Sequence, residues 1–397
     1  MTPIYIQAIG TVCALGQDQQ QIKQNLLRGV SPGLIKREQA LYSGRRATIA
    51  KIPGELPPVS SELKDFDNRN NRLAELAFRQ IEPQLEKLRR AKTDLRIGVV
   101  IGTSTSGIES TEASMRQRVQ NGCFEDGFRL DHLTIGDTAN FVARLCDAKG
   151  PAYSVSTACS SAGRTFISAA ALLHADAVDV VICGGVDSLC DLTLNGFDAL
   201  EQVSENQSRP FDKDRNGINI GEAAGLFVLS KQLGPWRLLG YGESAEGHHM
   251  SAPMPCGSGA KAAMEDALEN AGLAARDVGY INAHGTSTPL NDAMESKAIA
   301  EVFGNQIPVS STKALTGHCL GAAAAIEAAF CCWSIDTHQA PAQLPQPRQT
   351  GEDIANIYLP TENVALKSSV AVSNSFAFGG NNVCLVFGRG AVDEPTT

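Results

Sequence analysis

Short apolar runs alternate along the chain with stretches that repeat their apolar residues at helical spacing. Strand character marks Arg96–Thr103, Val178–Val186, Ala223–Ser230, Val278–Gly285, Ile307–Lys313, Ser368–Ser375 and Asn381–Gly388. Helical patterning covers Asn71–Leu88, Ser160–His174, Gly259–Ala271, Asp292–Phe303 and Gly317–Ile335. Buried strands that alternate with helices predict an α/β fold. The weakest seam lies at Lys231–Trp236, where a strand ends and "QLGP" follows. It divides the chain into residues 1–231 and 232–397, which share a strand–turn–helix rhythm without a fixed-period repeat. The stretch Asn121–Asp137 reads as a loop-rich excursion.

Composition narrows the class. The 397 residues are 43% hydrophobic and 19% charged, with 37 glycines, which suits a protein with a large core. A formal net charge of -9 argues against broad nucleic-acid binding, which needs a basic footprint, but leaves room for a local basic patch. The 11 cysteines include no CxxC pair, so neither a zinc ribbon nor a redox couple is indicated. The N-terminus "MTPIYIQAIGTVCALG" lacks the basic stretch that opens a signal peptide. The most apolar helix, "LGAAAAIEAAFCCW", is interrupted by Glu327 and reads as too short to span a bilayer. A cytoplasmic location follows, with most thiols reduced and buried.

Four strand ends carry residues able to do chemistry. In "VSTACSSAG", Cys159 sits between a strand ("AYSVST") and a helix whose first turn has only small side chains. The positive end of that helix would favour thiolate, and the small neighbours would admit a carbonyl. A buried packing cysteine explains the same residues, so both readings stand at this point. In "NAHGTSTPLND", His284 ends an apolar strand and would face the crevice beyond the sheet. The following residues also make a plain helix-capping loop. In "SSTKALTGHCLGAAAAIEAA", Lys313 and His318 flank a turn before an Ala-rich helix. Helical spacing places Glu327 on the face opposite His318, which leaves pairing with Lys313 or the wall of a polar pocket. In "NSFAFGGNN", a glycine pair between strands would expose amides for an oxyanion hole, or form an ordinary hairpin turn. Convergence of these ends would assemble a Cys–His–His site. A zinc site from the same residues is the rival chemistry, disfavoured by the positive helix end at Cys159.

These motifs occur in the order of a known family. The chain resembles the elongating β-ketoacyl-[acyl-carrier-protein] synthases of the thiolase superfamily through "STACSSAG", "SRPFDKDRNGINIGEAAGLFVL", "HHMSAP", "GYINAHGTSTP", "STKALTGHCLGAA" and "NSFAFGG". The resemblance implies a thiolase-like, five-layered αβαβα fold of two pseudo-duplicated halves, normally dimeric. It makes Cys159 the acylated nucleophile and His284 and His318 the catalytic pair, with Lys313 and Glu327 as the polar pair beside them. Phe378 would complete the oxyanion hole with Cys159 and gate the pocket, and Thr286 and Thr288 would bind the pantetheine arm. Thr105 falls where pocket depth is set, with Phe197 and Phe378 in the acyl pocket. Arg69 and Arg72 would dock the acidic carrier protein, with Arg45 and Arg46 as weaker choices. No cofactor or metal is implied, since substrates ride on the carrier's phosphopantetheine.

The resemblance also implies decarboxylative condensation of malonyl-carrier protein with an acyl chain on Cys159. Paired histidines point to elongation rather than initiation. Ala377 and Asn381 stand where the family commonly has Gly and Thr, and the stretch "ALEQVSENQSRPFD" is shorter than usual. These departures resemble the synthases of aryl-polyene pathways more than a housekeeping fatty-acid enzyme. Such synthases pair with a similar subunit that lacks the cysteine, so a homodimer and a heterodimer are both expected possibilities. A chain-length-setting partner subunit is the alternative reading, which Cys159 opposes. A thiolase would need a second catalytic cysteine, and Cys384 sits mid-strand with no glycine motif after it.

Overall fold

A computed structural model describes residues 2–124, 127–347 and 349–391. Glu125 and Asp126 of the loop-rich excursion lie outside the described residues. The main strands are β1 (Ile4–Val12), β2 (Ile97–Gly102), β3 (Ala152–Val155), β4 (Val180–Asp187) and β5 (Ala223–Ser230), then β6 (Trp236–Ala245), β7 (Tyr280–Asn282), β8 (Val309–Ser310), β9 (Val370–Phe376) and β10 (Asn381–Arg389). The main helices are α1 (Arg69–Ala91), α2 (Asp137–Leu145), α3 (Ser161–His174), α4 (Ser258–Ala271), α5 (Pro289–Phe303) and α6 (Ala323–Thr337).

The strand order is β3-β2-β4-β5-β1 in the first half and β8-β7-β9-β10-β6 in the second. Directions match as well. The β2–β3 and β2–β4 pairs are parallel, as are β7–β8 and β7–β9. The β4–β5 and β5–β1 pairs are antiparallel, as are β9–β10 and β10–β6. A short antiparallel pairing, Ile4–Ile6 against Trp236–Leu238, joins the two sheets along one edge. Each half thus repeats one topology, with the chain crossing between them after Ser230. The fold is the thiolase-like αβαβα arrangement expected from the motifs.

Three buried clusters correspond to the spaces between layers. Leu73, Phe78 and Ile81 of α1 pack with Phe141 of α2 on the outer face of the first sheet. Ala263 and Met264 of α4 pack with Ile299 of α5 on the outer face of the second. Between the sheets lie Phe166 of α3 and Phe330 and Trp333 of α6. From Ala323 to Ile335 every residue of α6 is buried, so its run of alanines serves close approach on all sides. The apolar segment Leu320–Thr337 is longer than the sequence suggested: its 18 residues and mean hydropathy of 1.2 reach membrane-spanning length. It is nevertheless 89% buried between the sheets, which accounts for its composition as core.

Several boundaries move from the sequence reading. Strands β1 and β6 were not anticipated, because glycines interrupt their apolar pattern. In β6 those glycines are required by packing: a Cβ on Gly242 would lie 2.2 Å from the Ala263 carbonyl oxygen of α4. The run Ile307–Lys313 is strand only at Val309–Ser310, and Lys313 opens a short helix to Thr316. The helix expected from Gly317 starts at Ala323, because Gly317 (φ 65) and Leu320 (φ 49) take left-handed backbone. His318 therefore lies outside the helix, and the helical-spacing argument that set Glu327 opposite it does not apply.

Candidate active site

Strand β3 ends at Val155, and the chain turns through a 3-10 segment, Ala158–Ser160, into α3. Ala158 is left-handed at φ 52, an uncommon conformation for a residue with a Cβ. That elbow points Cys159 into a cavity of about 260 Å³, which its sulfur shares with His284, His318, Thr286, Thr288, Phe197 and Phe378. The Cys159 sulfur and one nitrogen of each imidazole all lie within 4.8 Å of one another. The three side chains are buried. Convergence with two histidines is what the nucleophile reading of Cys159 requires and what a packing cysteine does not.

Each histidine is held by its neighbours in a defined state. The His284 and Gly285 backbone N–H groups donate to the two oxygens of Glu295 at 2.7 and 2.6 Å. The Lys313 ammonium donates to the His284 carbonyl at 2.6 Å and lies 3.3 Å from His284 Nδ1. An ammonium has no lone pair, so Nδ1 accepts and the proton of a neutral His284 sits on Nε2. Leu320 N–H donates to His318 Nδ1 at 3.2 Å, which fixes the same tautomer there. Burial, reinforced by the Lys313 charge, holds both imidazoles well below their ordinary range. Both are therefore neutral Nε2–H donors at neutral pH.

Lys313 forms a buried ion pair with Glu327. This is the pairing that one of the two sequence readings offered for Glu327. Burial raises the Glu327 carboxyl to about 7 against the opposing effect of Lys313. The thiol behaves differently from the helix-end argument. Burial pushes Cys159 up to about 11, opposed by the Lys313 charge and by the Phe378 backbone N–H. In the closed cavity desolvation outweighs the stabilisation expected from the start of α3. The Phe378 backbone N–H thus lies within hydrogen-bond reach of the sulfur, next to where the oxygen of an acyl group on Cys159 would stand.

Phe378 sits in the turn between β9 and β10, where Gly379 (φ 84) and Gly380 (φ 76) both need left-handed backbone. The turn is the hairpin that one reading of "NSFAFGGNN" expects, and it also bounds the cavity. Phe197 meets the Phe378 ring at a centroid distance of 5.6 Å. The Ala377 N–H donates to Asn381 O at 2.9 Å, and Gly379 N–H to Met250 O at 2.8 Å, which ties down the turn that carries the ring. Thr286 and Thr288 share a hydrogen bond of 2.9 Å on the cavity wall.

Other residues singled out in sequence fall elsewhere. Thr105 is fully buried and does not line the cavity; its hydroxyl donates to Asp187 at 2.8 Å. Arg69 is committed to the buried Glu222, with Nε donating at 2.7 Å. Arg72 is paired with Asp67 at 2.7 Å. The two side chains are 22% and 35% exposed, each already bonded to an acid of this chain. Arg45 pairs with Asp198 at 3.0 Å, next to the cavity residues Phe197 and Leu200, and Arg46 is exposed. Cys384 is buried in β10 and absent from the cavity wall. The Cys–His–His triad could also supply metal ligands, but the Lys313 ammonium 3.3 Å from the His284 ring sets a buried positive charge against a cation there. Glu295 and Phe376, whose ring meets that of His284 at 6.2 Å, were not singled out in sequence. Glu295 lies on the polar-looking first turns of α5, where a carboxylate ordinarily faces water.

A buried thiol, a backbone donor aimed at it and two neutral imidazoles on a doubled α/β scaffold define a condensing acyltransferase. Residues 1–233 match the family model "Beta-ketoacyl synthase, N-terminal domain" and residues 237–346 match "Beta-ketoacyl synthase, C-terminal domain". The chain belongs to the β-ketoacyl synthase family, among the elongating type. It is 32% identical over 421 residues to 3-oxoacyl-[acyl-carrier-protein] synthase 2 of Staphylococcus aureus (strain COL), covering 97% of each chain. It is also 32% identical to nodulation protein E of Rhizobium sp. (strain N33), covering 97% and 98%. Among solved structures it is similar to the ketosynthase ApeO, in complex with its chain length factor ApeC, from Xenorhabdus doucetiae. That match has 42% identity, a TM-score of 0.94 and 98% coverage of both chains. The ishigamide ketosynthase/chain length factor matches at 26% identity and a TM-score of 0.87, covering 98% and 99%.

Proposed function

We propose that this chain is the catalytic ketosynthase of a specialised polyene-type pathway, elongating acyl chains held on a carrier protein. The observation that carries the reaction is the Cys159–His284–His318 convergence within 4.8 Å. The pathway reading is supported by the 42% identity to a ketosynthase in complex with its chain length factor, against 32% to 3-oxoacyl-[acyl-carrier-protein] synthase 2 of Staphylococcus aureus (strain COL).

The Cys159 sulfur attacks the carbonyl of an acyl thioester on the carrier's phosphopantetheine. The oxyanion accepts from the Phe378 and Cys159 amides, and the carrier thiol leaves with the proton of Cys159. Malonyl-carrier protein then binds, its pantetheine arm beside Thr286 and Thr288. The bond to its carboxylate breaks and releases CO₂, and the electron pair passes into the thioester as an enolate. The His284 and His318 Nε2–H groups donate to that enolate oxygen. The carbanion attacks the Cys159 thioester carbonyl, the C–C bond forms, and the sulfur leaves as thiolate. The Lys313 charge lowers the cost of that thiolate in a dry cavity. No cofactor or metal enters these steps.

A ketosynthase-like subunit without the nucleophile is the proposed partner. Tyr42, Leu130 and Leu192 are 81%, 67% and 60% exposed around an apolar groove, and β3 leaves an open sheet edge. Such a surface is unusual on a protein that stays alone. A homodimer is the competing outcome. Carrier docking falls to the exposed Arg46 and to Arg45, 45% exposed beside Asp198, more than to Arg69 and Arg72, which are 22% and 35% exposed. Free thiols at all 11 cysteines suit a reducing cytoplasm.

Intact mass measurement after incubation with acyl-carrier protein tests the nucleophile: wild type gains one acyl group and Cys159→Ala gains none. Acylation of the alanine variant overturns the assignment. His284→Ala and His318→Ala should lose malonyl decarboxylation while Cys159 still acylates. Purification from the host with identification of the co-purifying subunit and bound acyl group tests the pathway.

A further inference from the structure

The doubled topology gives the molecule two elbows, and only one carries a nucleophile. In the first half Ala158 (φ 52) begins a 3-10 turn, Ala158–Ser160, that leads into α3. In the second half Leu320 (φ 49) begins a 3-10 turn, Leu320–Ala322, that leads into α6. Position by position, Gly321 stands where the first elbow has Cys159. The space a side chain would need is already taken. A Cβ on Gly321 would lie 2.8 Å from Asp187 Oδ2 and 2.9 Å from Ser104 Oγ.

Asp187 closes β4 and is fully buried. Its Oδ1 accepts from Thr103 Oγ1 (2.9 Å), Ser104 N (2.7 Å), Thr105 N (2.8 Å) and Thr105 Oγ1 (2.8 Å). Its Oδ2 accepts from Ala322 N at 3.1 Å. Among the described residues it has no ion pair, so hydrogen bonds alone balance its charge. One carboxylate therefore ties the end of β2 in the first half to the second elbow. That elbow is the segment whose Leu320 N–H sets the tautomer of His318.

We propose that Asp187 is a positioning residue for His318, anchoring the vacant second elbow so that Leu320 N–H holds the imidazole as an Nε2–H donor. An Asp187→Asn side chain keeps one acceptor for the Thr103–Thr105 donors. Its NH₂ then faces the Ala322 N–H, donor against donor, and the elbow loses its tie. Gly321→Ala reaches the same end from the other side by pushing the carboxylate away.

The inference rests on the histidine roles proposed above, so His318→Ala is measured beside it. Malonyl-carrier protein decarboxylation, Cys159 acylation and the ¹⁵N spectrum of the imidazoles are recorded for the full chain and its variants. Asp187→Asn should lower decarboxylation at least tenfold, leave acylation within twofold of wild type, and shift the His318 signals toward mixed tautomers. Gly321→Ala gives the same readings if the asparagine variant does not fold. Unchanged decarboxylation and tautomer, or equal loss of acylation and decarboxylation, overturns the inference. Full decarboxylation by His318→Ala overturns instead the histidine reading on which it stands.

Discussion

The two halves share a topology and divide the chemistry. The first contributes a short elbow that brings Cys159 to the cavity floor directly after β3. The second uses a longer path from β8 to α6, and Lys313 and His318 ride on it. His284 comes from the neighbouring β7 loop. The difference shows where reactivity enters such a scaffold. Strand order and helix packing are kept, and function is written into the segments that leave the ends of the strands.

The sharpest test of this division is removal of the one nucleophile. Cys159→Ala should cut condensation by about a thousandfold or more, read as β-ketoacyl product by mass spectrometry. If the second half could substitute, turnover would survive. Next in size is Lys313→Ala, which leaves Glu327 buried without its partner. Stability should fall by about 3–5 kcal/mol, read from denaturant unfolding, because an unpaired buried charge is costly. The same variant should move thiol alkylation to higher pH, since the Lys313 charge opposes the rise of the Cys159 pKa. Wild-type thiol alkylation should itself climb steadily with pH toward about 11, as the reactive thiolate fraction grows. The imidazole ¹⁵N shifts of His284 and His318 should stay flat from about pH 6 to 9, because both rings are held well below the usual histidine value of about 6.5 and remain neutral, while the Glu327 carboxyl, at about 7, titrates beside them. A histidine-type inflection in that window would break the assignment of neutral donors. The smallest effect belongs to Thr288→Val, which removes one of two paired hydroxyls at the mouth. KM for the carrier should rise by about three- to tenfold with kcat unchanged, the size of one hydrogen bond.

The proposed nucleophile and its histidines were legible as candidates because each ends an apolar run and meets a glycine or a helix start. Local sequence carries that signal. The duplicated halves were visible only as a rhythm, since corresponding strands such as β3 and β8 share direction and place but no motif. Asp187 and Glu295 were not legible. Asp187 binds a segment more than 80 residues before it and Glu295 the loop 10 and 11 residues before it, and no pattern around either acid separates it from a solvated carboxylate. Arg69 and Thr105 show the converse: both looked like surface or pocket residues and are held by the buried acids Glu222 and Asp187. The thiol's raised pKa was likewise hidden, because the helix start is written in sequence and the dryness of the cavity is not.

The burial of α6 on every side has a further consequence. Each half alone would expose the inner side of its sheet, and the second would also expose α6, a helix made for contact all round. Cut at the Lys231–Trp236 seam, the chain should therefore give pieces that regain structure only in each other's presence.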